Sequence, residues 1–103
     1  MKTDGFNSGH YRDENGNPNG GLSYGTGFTI KWDSMRAPRQ NGAFVENVLG
    51  AVIDRIEFYQ STGFKCVENA EALEHLRKAA TCLAAEVKHK HVEHEVQKEH
   101  DVQ

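Results

Sequence analysis

Between Asp54 and Leu76 the chain reads DRIEFYQSTGFKCVENAEALEHL, and the middle of that stretch gathers Tyr59, Gln60, Phe64, Lys65 and Asn69. Bases stack on aromatic faces, amides read base edges and cations hold phosphates, so this set has the chemistry for a flat, phosphorylated ligand. The competing reading is the ordinary packing of a turn. His89, His91, His94 and His100 suggest a metal tail, but HVEH lacks the HExxH order. On a helix His89 and His91 also fall on different faces, so a solvated, mixed-charge helix end is expected and no metal site. Cys66 and Cys82 have neither a CxxC spacing nor a His partner at zinc spacing, and read as two reduced, partly buried thiols. No GxSxG, Walker loop, GxGxxG or Cys/His nucleophile occurs, and the glycines between Gly20 and Gly27 do not lead into a helix as a phosphate loop must. No catalytic residue and no cofactor is therefore expected. An acid/base pair would have to come from His75 with Glu71 or Glu74, and His75 falls on the polar side of its helix.

The elements that must position the aromatic stretch are two helices. Phe44, Val45, Val48, Leu49, Val52, Ile53, Ile56 and Tyr59 recur at steps of three and four, which predicts a helix over about 43–60, ended by Gly63. With Ala51 and Phe58 its apolar arc spans roughly 220°, whereas one helical neighbour covers nearer 100°. Arg55 lies inside that arc, where a guanidinium needs a carboxylate, a backbone carbonyl or a ligand phosphate. An interhelical ion pair is the expected partner. A second helix is predicted to start near Asn69 as its cap, with Glu71 in the first turn, and Leu73, Leu76, Ala80, Leu83 and Val87 mark a narrow seam along it. It is the longer of the two, about 43 Å against about 27 Å if it continues to residue 97, so its end overhangs its partner. The wide face and the overhang predict self-association, most simply of two hairpins into a four-helix bundle.

Ahead of the helices, residues 1–27 hold seven of the ten glycines and the run ENGNPNGG, which reads either as a mobile arm or as tight turns. In GLSYGTGFTIKWD the residues Leu22, Tyr24, Phe28, Ile30 and Trp32 share one parity while Ser23, Thr29, Lys31 and Asp33 share the other, the period of a half-buried strand. With Tyr11 before the Asn-Gly turn, a β-hairpin over about 10–33 follows, and SMRAPRQNG reads as a linker. The expected architecture is α+β: short N-terminal β-strands or a hairpin in a Gly/Asn-rich arm (1–40), then a long antiparallel two-helix hairpin that self-associates (41–103).

The 103-residue chain is 37% hydrophobic with a net charge of −3. A chain of that length is one domain at most and buries only about two-thirds of its unfolded surface. Its charge gives no pull toward DNA, RNA or a membrane surface. No run approaches the roughly 18 apolar residues of a membrane span, and MKTDGFNSGH lacks a signal-peptide core, so a cytoplasmic protein is expected.

The runs NGAFVENVLGAVIDRIEFYQ and FKCVENAEALEHLRKAATCL, preceded by GFTIKW, resemble the helical-hairpin domain of phage immune-evasion proteins, the Thoeris anti-defence and anti-CBASS sponge family. The resemblance covers about residues 20–85 and is nearer to the Thoeris anti-defence branch. It implies a protein that is not an enzyme. Family members bind nucleotide second messengers of bacterial immunity, of the glycocyclic ADP-ribose or cyclic oligonucleotide type, hold them intact, and so block anti-phage signalling. It further implies assembly through the hairpins into dimers or hexamers, and the cytoplasm of a bacterial host as the place of action. Residue by residue, the family's stacking aromatic falls on Tyr59 and its ligand-contacting Asn on Asn69, with Phe64 beside them. The family's Arg-Thr-x-x-Arg segment falls on Glu86 to Lys90, so Lys90, with Arg77 and Arg55 behind it, is the expected source of positive charge. The rival expectation is a structural or regulatory hairpin dimer that binds a protein partner.

Overall fold

The computed structural model describes residues 5–36 and 38–102, and the side chains from Glu86 onward lie outside the described residues. Its elements are β1 (Phe6–Arg12), β2 (Pro18–Gly25), β3 (Phe28–Trp32), α1 (Val45–Gln60) and α2 (Val67–Val102). The fold is α+β, a three-stranded antiparallel sheet in the order β1-β2-β3 followed by two helices. The chain divides into two compact units, Met1–Asn47 and Val48–Gln103.

In the first unit the Asn-Gly run is a fixed turn. The Asp13 carboxylate accepts the backbone N–H groups of Asn15 (2.9 Å) and Asn17 (3.0 Å), a local arrangement for which aspartate is suited. The long strand expected over residues 22–32 is corrected to a hairpin. Gly25 pairs with Phe28 across the two-residue turn Thr26–Gly27, and Gly27 supplies the positive φ (88°) that the turn requires. The correction reverses parity. Directly opposed residues share a face, so Gly21, Ser23 and Gly25 of β2 lie with Phe28, Ile30 and Trp32 of β3 and with Phe6, Ser8 and His10 of β1. Leu22 and Tyr24 go to the other face.

The centre strand therefore offers small residues where its neighbours offer large ones. Phe6 and Phe28 meet above Gly25 with ring centroids 6.5 Å apart, and a Cβ at Gly25 would stand 2.7 Å from the Phe28 ring. Ser23, 7% exposed, accepts the indole N–H of Trp32 (2.8 Å) and shares a hydrogen bond with Ser8 (2.6 Å). A hydroxyl chain thus crosses all three strands and satisfies a polar group that burial would otherwise penalise.

The expected linker 34–42 is held at its base by Asp33, itself 7% exposed. Its carboxylate accepts the backbone N–H of Asn41 (2.6 Å) and Gly42 (3.0 Å) through one oxygen and that of Met35 (2.7 Å) through the other. Met35 adopts the left-handed region (φ 62°) to make this contact. Burial by itself would raise the Asp33 pKa, but the N–H groups of Asn41, Met35 and Gly42 together outweigh it and hold it below the ordinary 3.8. Beyond the loop, Ala43 bonds β3 on both sides, donating to Lys31 O (2.7 Å) and accepting from Asp33 N (3.0 Å). A Cβ at Gly42 would meet backbone atoms of Trp32 and Asp33 at 2.6 and 2.7 Å, so only glycine passes there. This docking is why the first unit runs past residue 40.

The second unit is a helical hairpin. α1 starts two residues later than expected because Ala43 is tied to the sheet. α2 starts at Val67, which corrects the expected start: Asn69 lies within the first turn, and Glu68 rather than Glu71 is the first-turn acid. At 1.5 Å per residue the 16 residues of α1 span about 24 Å and the 36 of α2 about 54 Å. Leu73 is the buried hydrophobic side chain of the described residues, at 5% exposure. Val45, Val52, Phe58, Phe64 and Val67 are exposed. Cys66 and Cys82 are free and exposed rather than partly buried: Cys66 stands in the hinge ahead of α2, and Cys82 lies off the narrow seam of that helix.

Candidate functional site

The end of α1 leaves carbonyls that no further turn can use. Ser61 and Thr62 take them: each donates its backbone N–H and its hydroxyl to Phe58 O and Tyr59 O respectively, the hydroxyl contacts both being 2.6 Å. Thr62 Oγ1 also accepts the N–H of Phe64 at 3.1 Å, which turns the chain toward α2. Gln60 then closes the hinge from the side. Its Oε1 accepts the N–H of Cys66 (3.0 Å) and its Nε2 donates to Cys66 O (3.1 Å). An amide expected to read a ligand edge is thereby spent on structure. Asn69 points back into the same hinge, with Nδ2 3.4 Å from Phe64 O, a long contact that leaves its carbonyl oxygen without a partner among the described hydrogen bonds.

This framework fixes an aromatic cluster. Tyr59 is half-buried, with Phe64 edge-on at 6.5 Å (73° between planes) and Phe58 tilted at 6.3 Å. Phe58 is 52% and Phe64 76% exposed, so large ring surface faces solvent at the hairpin end.

Arg55 has not formed the ion pair expected of it. Its guanidinium carbon sits over both rings, 5.0 Å from the Phe58 centroid and 5.1 Å from that of Tyr59, a cation–π arrangement that the i, i+3, i+4 spacing on α1 provides. The interhelical ion pair exists, but Arg77 makes it, with Nη2 3.3 Å from Glu57 Oε2. Both partners are more than half exposed, so the pair is worth little to stability.

Of the expected site residues, the structure brings together Tyr59, Phe64 and Asn69. Arg77 stands two turns along α2 from Asn69 and is engaged with Glu57. Lys90 and Glu86, like the histidines from His89 to His100, fall outside the described side chains. Among the described residues no cluster of three or more His, Cys, Asp or Glu is placed to hold a metal ion. His75 is exposed, and Glu74 is paired with Lys78 at 3.6 Å. No helix among the described residues is long and apolar enough to cross a membrane. No protein-family model matches this sequence, and no curated protein gives a significant match to it.

Proposed function

We propose that the protein sequesters a cyclic nucleotide immune signal, of the glycocyclic ADP-ribose or cyclic oligonucleotide type, without cleaving it, and thereby blocks bacterial anti-phage signalling. The observation that carries this reading is the cluster of half-buried Tyr59 with the exposed Phe58 and Phe64 at one end of the hairpin, with a guanidinium over Phe58 and Tyr59. It offers π-faces for a base and positive charge for a phosphate on a hinge held by hydrogen bonds, and rigid sites bind tightly because little is left to order. Asn69 completes it with an amide oxygen for the base edge. The residue-by-residue resemblance of this hairpin to the sponge family supports the same assignment. Holding rather than converting the ligand is consistent with the exposure of His75 and Glu71 and with the pairing of Glu74 to Lys78.

The protein works in the bacterial cytoplasm as a homo-oligomer, whose copies cover the apolar side chains that one chain leaves exposed. A hairpin dimer that binds a protein partner is the second reading, and the exposed Val45, Val52 and Val67 favour it to the same degree. Incubating the protein with glycocyclic ADP-ribose or a cyclic oligonucleotide, denaturing by heat and assaying the released material separates the readings. Intact ligand recovered from the protein supports sequestration, altered ligand indicates an enzyme, and no retained ligand favours the protein-binding dimer.

A further inference from the structure

A phosphorylated ligand stacked at Tyr59 needs a cation close by; of those expected to supply it, Lys65 stands exposed in the hinge but is a point charge without a bidentate fork, and Lys90 lies further along the chain. Arg77 is paired with Glu57. Arg55 is the cation that α1 itself delivers to the aromatic cluster, one turn before Tyr59 and exposed. The ion pairs of the described residues join Arg36 to Asp13, Arg77 to Glu57 and Lys78 to Glu74, and none includes Arg55. The carboxylates nearest to it in sequence, Asp54 and Glu57, stand one and two residues away on α1, spacings at which helical side chains do not face each other.

We infer that Arg55 is the phosphate-holding residue of this site, gripping a phosphate of the nucleotide through its N–H groups while a base stacks against the neighbouring rings. The inference rests on the nucleotide reading given above. A guanidinium has five N–H donors in a fixed planar fork, and ring faces satisfy its charge but not those donors. Held at about 5 Å from two rings, it has already lost much of the freedom that an arginine gives up when it binds an anion. Its fork matches a phosphate oxygen pair.

The test is calorimetry on the full chain with glycocyclic ADP-ribose and a cyclic triadenylate as probes, comparing wild type, Arg55→Gln and Arg55→Lys, with sedimentation of each. The inference expects Arg55→Gln to bind the probe about ten- to a hundredfold more weakly, the loss of charged hydrogen bonds. It expects Arg55→Lys to recover part of that loss, wild-type binding to weaken with added salt more than that of the Gln variant, and all three to sediment alike. Wild-type affinity in Arg55→Gln overturns the inference and leaves sequestration standing. A change of assembly in Arg55→Gln that Lys repairs assigns Arg55 to the contact between copies and also overturns it. Binding of neither probe by wild type removes the nucleotide reading and the inference with it.

Discussion

At the scale of single residues, the hairpin end separates groups that hold the hinge from groups that take no part in holding it. Tyr59→Ala is expected to weaken nucleotide binding about ten- to a hundredfold, the size of one lost base–aromatic stack, while helicity and assembly measured by circular dichroism and sedimentation stay unchanged. Gln60→Ala is expected to act in the opposite sense, lowering stability by about 1 to 2 kcal/mol in denaturant titration through loss of both hydrogen bonds to Cys66. The aromatic cluster was legible in the sequence because Tyr59 and Phe64 bracket a glycine between two helical periods. The role of Arg55 was less so: an apolar-arc template treats an arginine inside the arc as an intruder in need of a carboxylate. The spacing Arg55, Phe58, Tyr59 carries the alternative, since side chains at i, i+3 and i+4 share one patch of helix surface.

At the scale of elements, the two helices follow from periodicity sustained over long runs, whereas the sheet does not. Residues 22–32 look like one alternating strand because the turn Thr26–Gly27 joins two segments whose large residues have the same parity. A two-residue turn pairs an odd position with an even one, so that shared parity puts the large residues on opposite faces. β2 has no apolar signal on its aromatic-facing side, where Gly21, Ser23 and Gly25 make room for neighbours. Gly25→Ala is expected to cost about 1 to 3 kcal/mol by overpacking against the Gly5 carbonyl oxygen and the Phe28 ring, and Ser23→Ala a similar amount by leaving the Trp32 indole N–H without its acceptor. Trp32 is the one tryptophan of the chain, so its fluorescence during denaturation reads both effects. Asp33 gives the sheet a pH dependence. Its folded-state pKa is lowered, so its stabilising contribution is complete above the ordinary value of 3.8 and is lost as pH falls through the folded value. Trp32 fluorescence followed into acid is expected to show that loss in wild type, and Asp33→Asn is expected to remove it along with part of the stability at neutral pH.

At the scale of the whole molecule, the described residues bury one hydrophobic side chain deeply, Leu73, against ten large ones that remain exposed. Apolar burial is the main driving force of folding, and the proposed assembly would cover part of the apolar surface that the described residues leave exposed. Val45 and Val52, 51% and 43% exposed, lie seven residues apart on α1 and therefore on one stripe. Val52→Glu is expected to shift sedimentation toward the single chain and to lower the midpoint of thermal unfolding. Unchanged sedimentation at matched concentration would count against assembly through this face. The sequence carried this expectation in the width of the apolar arc, because hydrophobic pattern reports what must be covered without reporting by which atoms.

The amide clasp from Gln60 to Cys66 has a kinetic signature as well. Cys66 stands in an exposed hinge, where a backbone proton ordinarily trades with solvent in a time set by pH, temperature and the neighbouring side chains. Here the proton is held by a side chain six residues earlier, so its release requires the hinge to open, and its isotope exchange rate becomes a clock for that opening. If the proposed nucleotide seats on the neighbouring rings it is expected to slow the clock, and Gln60→Ala is expected to set it running at the free rate.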